Sequence, residues 1–244
     1  MRSPLDSMKG ISFISPFSVM DKAAGHSDFH MCLTHLVLGN KEYEEFYRNE
    51  SKFKLLDNSY FELGNCLEPY DVLKAAEKIK ADCLVLTDGS LDSIYNYKKE
   101  GYAVMYIPKD PTAFKIAMKA SEIDKVGISC LHIPQFMGQE SFTGNSRKDF
   151  LKKYWEKAFD KNKVHLLGSM HLPLLELSSI RDYASSIDTS YPVWAGMNKE
   201  LIRNRERRYT HCNFYTDLGW KDECDENIKD FKEAFYPKDE GSLF

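Results

Sequence analysis

Residues 53–88 read FKLLDNSYFELGNCLEPYDVLKAAEKIKADCLVLTD, and this stretch decides the fold. Two short apolar runs, 53–57 and 83–88, enclose a segment, 70–81, whose apolar residues recur at helical spacing. Continuous apolar runs of this length are typical of strands that are buried on both faces. The order strand, helix, strand therefore predicts a βα unit of a parallel sheet.

The same pattern recurs along most of the chain. Eight runs are predicted to be strands: 10–16, 35–40, 53–57, 83–88, 103–108, 126–131, 164–169 and 185–188. Four segments have a clear helical period: 70–81, 112–121, 148–159 and 172–184. Eight strands alternating with helices within 244 residues predict the α/β class and a closed (β/α)8 TIM barrel.

An open doubly wound sheet is the alternative fold. Its dinucleotide-binding form is excluded because no G-x-G-x-x-G follows the first strand, and no P-loop pattern is present. We expect one catalytic barrel domain over residues 1–207 and a C-terminal extension over 208–244, with a helix near 225–235 that packs on the barrel. The polar segment 135–147 is predicted to be a long βα loop, typical of a lid.

Composition narrows the class of protein. Hydrophobic residues make up 43% of the chain, which excludes disorder as the main state. The 33 basic and 37 acidic residues give a net charge of −4, so binding to nucleic acid through charge over a broad surface is not expected. No apolar run approaches the roughly 18 residues of a membrane span, and no secretory signal is recognisable. The sequence predicts a cytoplasmic protein.

The six cysteines are scattered and are expected to be free, mostly buried thiols. His211, Cys212 and Cys224 could hold zinc, but they lack the close spacing of a structural site. We therefore expect no metal.

Three carboxylates close apolar runs at equivalent places: Asp57, Asp88 and Asp188. In a parallel barrel the carboxyl ends of the strands form the catalytic face, so these groups are expected to meet there. Clustered carboxylates can divide the roles of nucleophile, general acid/base and hydrogen-bond acceptor. The alternative is that each aspartate caps the turn or helix that follows it.

Several strand-end segments resemble a known family. Leu38–Tyr43 resembles the "LGNTYH" segment of tRNA-guanine transglycosylases, and Leu56–Glu62 resembles their "TDSGGFQ" motif. The second match is closer to the "LDNGAFE"-like form of the compact phage and bacterial relatives that modify DNA. Phe13–Pro16, Leu166–Ser169 and Ser186–Ser190 stand where the family has "FMPVG", "LMGVG" and "FDCVxPTR". The order holds from about residue 10 to 200.

The resemblance implies base exchange: guanine in a polynucleotide is replaced by a 7-deazaguanine, of the preQ0 type, through a covalent sugar–enzyme intermediate. By position, Asp188 is then the nucleophile, Asp57 the general acid/base, and Asp88 the reader of the base edge. Gly168 and Ser169 line the base pocket. Three residues of the second motif complete the expected base site: Asn58, Tyr60 and Phe61. The two aromatic rings can equally be core.

Departures from the family indicate the substrate. The C-x-C-x-x-C zinc site of the tRNA enzymes is absent, and the chain is much shorter, which favours DNA over tRNA. The resemblance requires no cofactor, because the 7-deazaguanine base is a co-substrate. If the protein is phage-encoded, we expect it in the cytoplasm of the host cell. The sequence predicts no membrane partner and gives no oligomeric state.

Binding to DNA would need a local basic patch. Five cations are candidates for phosphate contacts: Arg203, Arg205, Arg207, Arg208 and Lys109. Arg147 and Lys148 are expected to extend the same rim. A solvated helix face is the alternative interpretation of the arginine run. Two other functions remain open: a non-catalytic nucleic-acid-binding subunit with the same barrel, and an unrelated barrel enzyme that acts on a small metabolite.

Overall fold

A computed structural model describes residues 7–65, 67–87, 91–138, 146–169, 172–204 and 212–236. These contain eight strands: β1 (Gly10–Phe13), β2 (His30–Leu33), β3 (Lys54–Asp57), β4 (Cys83–Val85), β5 (Ala103–Tyr106), β6 (Lys125–Ser129), β7 (Val164–Leu167) and β8 (Ser186–Thr189). All seven strand pairings are parallel, and the sheet order is β1-β8-β7-β6-β5-β4-β3-β2. The strands form a nearly closed (β/α)8 TIM barrel, which confirms the predicted fold class.

Helices lie between the strands and around the barrel. Their bounds are α1 (Met20–His26), α2 (Thr34–Gly39), α3 (Lys41–Asn49), α4 (Tyr60–Leu63), α5 (Pro69–Ile79), α6 (Leu91–Lys99), α7 (Pro111–Lys119), α8 (His132–Phe136), α9 (Ser146–Tyr154), α10 (Pro173–Ile180), α11 (Tyr191–Met197) and α12 (Asp222–Phe235). All four helices with a clear period in the sequence are present, as α5, α7, α9 and α10. The predicted loop 135–147 is described only at its two ends.

Side chains close the seam between β1 and β2, where the backbone ladder is missing. The hydroxyl of Ser12 accepts from Met31 N at 2.8 Å, and a carboxylate oxygen of Asp28 accepts from Ile11 N at 2.9 Å. Ser27 Oγ likewise accepts from Phe13 N at 2.9 Å. Buried backbone N–H groups need partners, and here three polar side chains supply them in place of a neighbouring strand.

The core has an inner and an outer part. Inward-facing apolar side chains fill the barrel itself, among them Met8, Phe29, Met31, Leu55 and Met105. Alternate residues point outward and pack against the helices in two larger clusters. Burying each such side chain stabilises the fold by roughly 1.5–3 kcal/mol, so this packing sets the positions of the strand ends.

The second predicted strand is wrong. Residues 35–39 belong to helix α2, and the second strand is His30–Leu33, directly before it. The run HLVLG is short, and periodicity alone does not distinguish a buried strand from a helix at this length. In the structure Leu36 and Val37 are buried while Leu38 is half-buried, as on one face of a helix. Asn40 then caps α3, accepting from Tyr43 N at 2.9 Å.

The C-terminal helix α12 begins at Asp222, slightly before the predicted start, and packs against α10 and α11. Its Ile228 and Phe231 belong to the outer core, and Phe231 meets Phe13 of β1 with ring centroids 6.0 Å apart. Asn227 fixes the contact, because its amide nitrogen donates to the carbonyl oxygens of Pro192 at 3.1 Å and of Glu200 at 2.8 Å. The last described helix is therefore part of the barrel's outer layer.

Candidate active site

A pocket opens at the carboxyl ends of the strands, with about 1060 Å³ of space including the part open to solvent. The pocket is lined by eight of the site residues that the sequence predicts: Asp57, Asn58, Tyr60, Phe61, Lys109, Gly168, Ser169 and Asp188. They come from the ends of β3, β5, β7 and β8, which are far apart in sequence. Because all strands are parallel, their carboxyl ends meet at one face of the barrel.

Asp57 ends β3 and is held by a tight turn. One of its carboxylate oxygens accepts from Ser59 N at 2.8 Å, and Ser59 has a left-handed backbone with φ of 61°. Both polar atoms of the Asn58 side chain bond to backbone groups. The amide nitrogen donates to Leu86 O at 2.8 Å, and the amide oxygen accepts from Tyr60 N at 3.1 Å. These bonds fix the turn, so Asn58 stabilises the local backbone and also lines the pocket.

Asp188 lies in β8 with its carboxylate at the pocket floor, and the side chain is 8% exposed. Its Oδ1 accepts from two groups of the neighbouring β7 segment. His165 Nε2 is 3.0 Å away, and Gly168 N is 3.4 Å away. Ser186, two residues earlier in β8, places its hydroxyl 2.9 Å from His165 Nδ1. The register of β7 and β8, which sets His165 beside Ser186 and Leu167 beside Asp188, produces this arrangement.

Gly168 makes the turn that follows β7 with φ of +66°, a conformation that favours glycine. A Cβ built on Gly168 would lie 3.0 Å from Cys130 Sγ, so the backbone passes close to the neighbouring strand end. Ser169 continues the wall, with its hydroxyl 3.1 Å from the hydroxyl of Thr189. Beside the Asp188 carboxylate, the pocket wall at Gly168 and Ser169 therefore consists of backbone and a small hydroxyl side chain, which leaves room for a flat ligand.

Glu62 also lines the pocket, although the sequence predicted no role for it. The residue as a whole is exposed on α4, yet its carboxyl group lines the pocket. Loss of solvent around this carboxyl raises the pKa of Glu62 to about 8, and the nearby charges of Asp57 and Asp188 add to the shift. At neutral pH Glu62 therefore carries a proton. The sequence feature that could have indicated a role for Glu62 is its place in the Leu56–Glu62 motif, where "TDSGGFQ" has glutamine.

Aromatic side chains form the outer wall of the pocket. Tyr60 and Phe61 are 40% and 41% exposed, so the structure places them at the surface of the pocket and not in the core. Lys109 Nζ lies 5.4 Å from the centroid of the Tyr60 ring, in a cation–π arrangement. Phe214 from the C-terminal segment faces the same space. A flat ring entering the pocket would meet aromatic faces at its rim and carboxylates at its floor.

Two of the cations that were predicted to form a basic rim around the pocket lie elsewhere in the structure. Arg147 is buried, and its guanidinium pairs with Glu176, so its expected place on the rim is wrong. Arg203 is directed to the C-terminal helix, where it pairs with Glu226 and, at 3.6 Å, with Asp230. Four expected site residues lie outside the described residues: Asp88, Arg205, Arg207 and Arg208.

No group of three or more His, Cys, Asp or Glu side chains within the described ranges is arranged to hold a metal ion. Cys212 lines the pocket and Cys224 is buried under α11, while His211 falls outside those ranges. Among the same residues, no helix is long and apolar enough to cross a membrane.

Several solved structures share the fold. The citrate lyase beta subunit from Mycobacterium tuberculosis is 8% identical, with 96% of this chain and 99% of that chain covered and a TM-score of 0.54. CitE of the same organism, complexed with the triphosphate group of ATP, is 10% identical over 96% and 99%, with a TM-score of 0.56. Phosphoribosyl anthranilate isomerase from Thermotoga maritima is 13% identical over 93% and 98%, with a TM-score of 0.53.

At these identities the likeness shows the barrel fold alone. No protein-family model matches the chain, and a search of curated proteins also found no match.

Proposed function

We propose that the chain is an enzyme that breaks and re-forms the glycosidic bond between a sugar and a nucleobase. The observation that carries this proposal is that Asp57, Glu62 and Asp188 line one pocket at the carboxyl ends of the barrel strands. Glycosyl transfer with a covalent intermediate needs one carboxylate as nucleophile and a second carboxyl group as proton donor and acceptor. The resemblance of the strand-end motifs to guanine transglycosylases supports the same chemistry.

The residues allow a balanced two-step reaction. A carboxylate oxygen of Asp188 attacks the sugar C1′, and the C1′–N bond breaks with its electron pair passing to the base. Asp57, protonated for this step by the neighbouring Glu62, donates a proton to the departing base, and Asp188 now holds the sugar as an ester. In the second step Asp57 takes a proton from the incoming base, whose nitrogen attacks C1′ and releases the Asp188 carboxylate. The proton and the electron pair are both returned, so no redox partner is needed.

The pocket also suits a purine-like ring. Tyr60 and Phe61 offer aromatic faces for stacking, and the carboxylates at the floor accept hydrogen bonds from ring N–H groups. At Gly168 and Ser169 one wall of the pocket carries no large side chain, which leaves room for the ring. Following the resemblance, the proposed substrates are guanine in DNA, flipped out of its duplex, and a free 7-deazaguanine base.

A small-metabolite enzyme with the same carboxylate chemistry is the second candidate. Of the expected cations that the structure describes, Lys109 lines the pocket, whereas Arg147 is buried and Arg203 is paired on α12. Proteins that hold a polynucleotide usually neutralise several phosphates. The isomerase and the lyase subunit that share the fold also carry the names of small-molecule enzymes.

One experiment separates these functions. The protein is incubated with guanine-containing DNA, and separately with free deoxyguanosine, in the presence of labelled guanine or a 7-deazaguanine, and nucleosides are measured by mass. Exchange in DNA that is lost in Asp188→Ala but kept in the exposed control Asp149→Ala supports base exchange on DNA. Exchange in the free nucleoside alone supports the small-molecule candidate. If neither substrate exchanges with wild-type protein, glycosyl transfer is excluded; DNA binding without an adduct would indicate a binding subunit.

A further inference from the structure

A chain of three buried polar side chains runs beneath the pocket floor. Ser186 Oγ is 2.9 Å from His165 Nδ1, and His165 Nε2 is 3.0 Å from Asp188 Oδ1. His165 and Ser186 are both 0% exposed, inside the barrel. Phe29 packs edge-on against the imidazole with ring centroids 5.9 Å apart, which restricts rotation of the ring. Neither histidine nor serine lines the pocket, so neither can touch a ligand there.

The hydrogen-bond partners determine the tautomer of His165. A carboxylate only accepts hydrogen bonds, so Nε2 must carry the proton and donate it to Asp188. Nδ1 is then the acceptor, and the Ser186 hydroxyl donates to it. Burial is the largest influence on this histidine and lowers its pKa, while Asp188 acts in the opposite direction and Lys125 and Arg147 lower it further. The ring is therefore neutral at physiological pH.

We propose that His165 is a positioning residue that holds Asp188 Oδ1 and so leaves Oδ2 as the atom that attacks the sugar, while the Ser186 hydroxyl donates to Nδ1 and holds the ring in place. Both hydrogen bonds described for this carboxylate end on Oδ1, from His165 and from Gly168 N. A carboxylate with one fixed oxygen cannot rotate away from the reacting carbon. The kinetic consequences of this inference rest on the proposed glycosyl transfer, whereas the tautomer does not.

The kinetic test compares variants that keep or remove the donor. His165→Leu removes it and is expected to lower kcat by about 10- to 100-fold with KM nearly unchanged, as for other groups that orient a reactive ligand. His165→Gln keeps an N–H donor near the place of Nε2 and is expected to recover part of this loss. Ser186→Ala keeps the histidine and the tautomer that Asp188 requires but removes the hydrogen bond to Nδ1 that holds the ring, so a smaller loss of about 2- to 10-fold is expected. Wild-type kcat in His165→Leu would overturn the inference.

Nitrogen NMR of the imidazoles in the wild-type protein provides a test that needs no activity. The signal of His165, assigned by its absence in His165→Gln or, should that variant not fold, by contacts to Phe29, is expected to show a protonated Nε2 and a bare Nδ1. This pattern should persist from about pH 5.5 to 8, and Ser186→Ala should retain it, because Asp188 alone requires the proton on Nε2. A protonated Nδ1, or titration with an ordinary histidine pKa, would overturn the positioning role. The expected tautomer in a protein without exchange activity would contradict only the proposed function.

Discussion

Arg147 and Glu176 form a buried bidentate ion pair, with Nε to Oε1 and Nη2 to Oε2 both 2.7 Å apart. The other three N–H groups of the guanidinium donate to backbone carbonyl oxygens: those of Ile128 and Leu167 at 3.1 Å and that of Gly168 at 2.7 Å. All five donors of the arginine are thus used. The pair ties α9 and α10 to the ends of β6 and β7, next to the pocket floor.

Removing one member of this pair is expected to destabilise the fold strongly. Arg147→Met leaves the Glu176 carboxylate buried without its cation and three carbonyl groups without a donor, which should cost about 3–5 kcal/mol in the free energy of unfolding. Arg147→Met with Glu176→Met should cost less, because no charge remains buried. Urea denaturation of both variants measures this. A single-variant loss below about 1 kcal/mol would show that the pair does not hold the strand ends.

Glu62 is expected to make stability depend on pH. Its pKa rises from 4.5 in a free side chain to about 8 in the folded protein, so folding favours the protonated form. The stability that Glu62 contributes is therefore complete below about pH 4.5 and is lost as the pH rises through about 8. Glu62→Gln keeps a neutral side chain at all pH values. Its melting temperature should match that of wild type near pH 4 and exceed it near pH 9; equal melting temperatures at both pH values would contradict the raised pKa of Glu62.

If glycosyl transfer proceeds as proposed, Asp57 and Asp188 are expected to respond differently to the leaving group. Asp57→Asn cannot protonate guanine, so release of guanine should slow by about 100- to 10,000-fold. A 7-methylguanine carries a positive charge and leaves without a proton, so Asp57→Asn should release it at nearly the wild-type rate. Asp188→Ala should fail with both bases, because the nucleophile itself is missing. Single-turnover base release measures all four combinations; equal defects of Asp57→Asn with both bases would exclude its role as the acid.

The sequence predicts the barrel because apolar runs and helical periods alternate along it, and it predicts that Asp57 and Asp188 meet at the strand ends because they close such runs. It misplaces β2, since HLVLG satisfies the pattern of a strand and of a helix equally. It also places Arg147 on the rim, because nothing near Arg147 in the chain reveals Glu176, 29 residues away, as its partner. The His165–Asp188 contact depends on the register of β7 and β8, and the pKa of Glu62 depends first on loss of solvent in the pocket and then on the charges of Asp57 and Asp188. Such properties arise only when the strand ends meet.

Gly196 is expected to tolerate no side chain. A Cβ at this position would lie 2.5 Å from both the backbone nitrogen and Cα of Cys224, at the contact between α11 and α12. The obstacle is backbone, which cannot rotate aside, so Gly196→Ala should push α12 away and cost about 1–3 kcal/mol through overpacking. Gly39, where an added Cβ meets no atom within 4 Å, is the matched control. Thermal unfolding that shows equal stability for Gly196→Ala and wild type would contradict the packing.

Lys109 and Arg203 distinguish a polynucleotide from a small substrate. Lys109 lines the pocket and lies over Tyr60, whereas Arg203 pairs with Glu226 and Asp230 on α12. If the substrate is DNA, Lys109→Gln should weaken binding of DNA of any sequence and reduce the slope of log affinity against log salt by about one, while Arg203→Gln should leave both unchanged. If the substrate is a small neutral molecule, Lys109→Gln should change only its KM, with no dependence on salt. Binding isotherms at several salt concentrations decide the matter, and an unchanged slope in Lys109→Gln would remove this lysine from any phosphate contact.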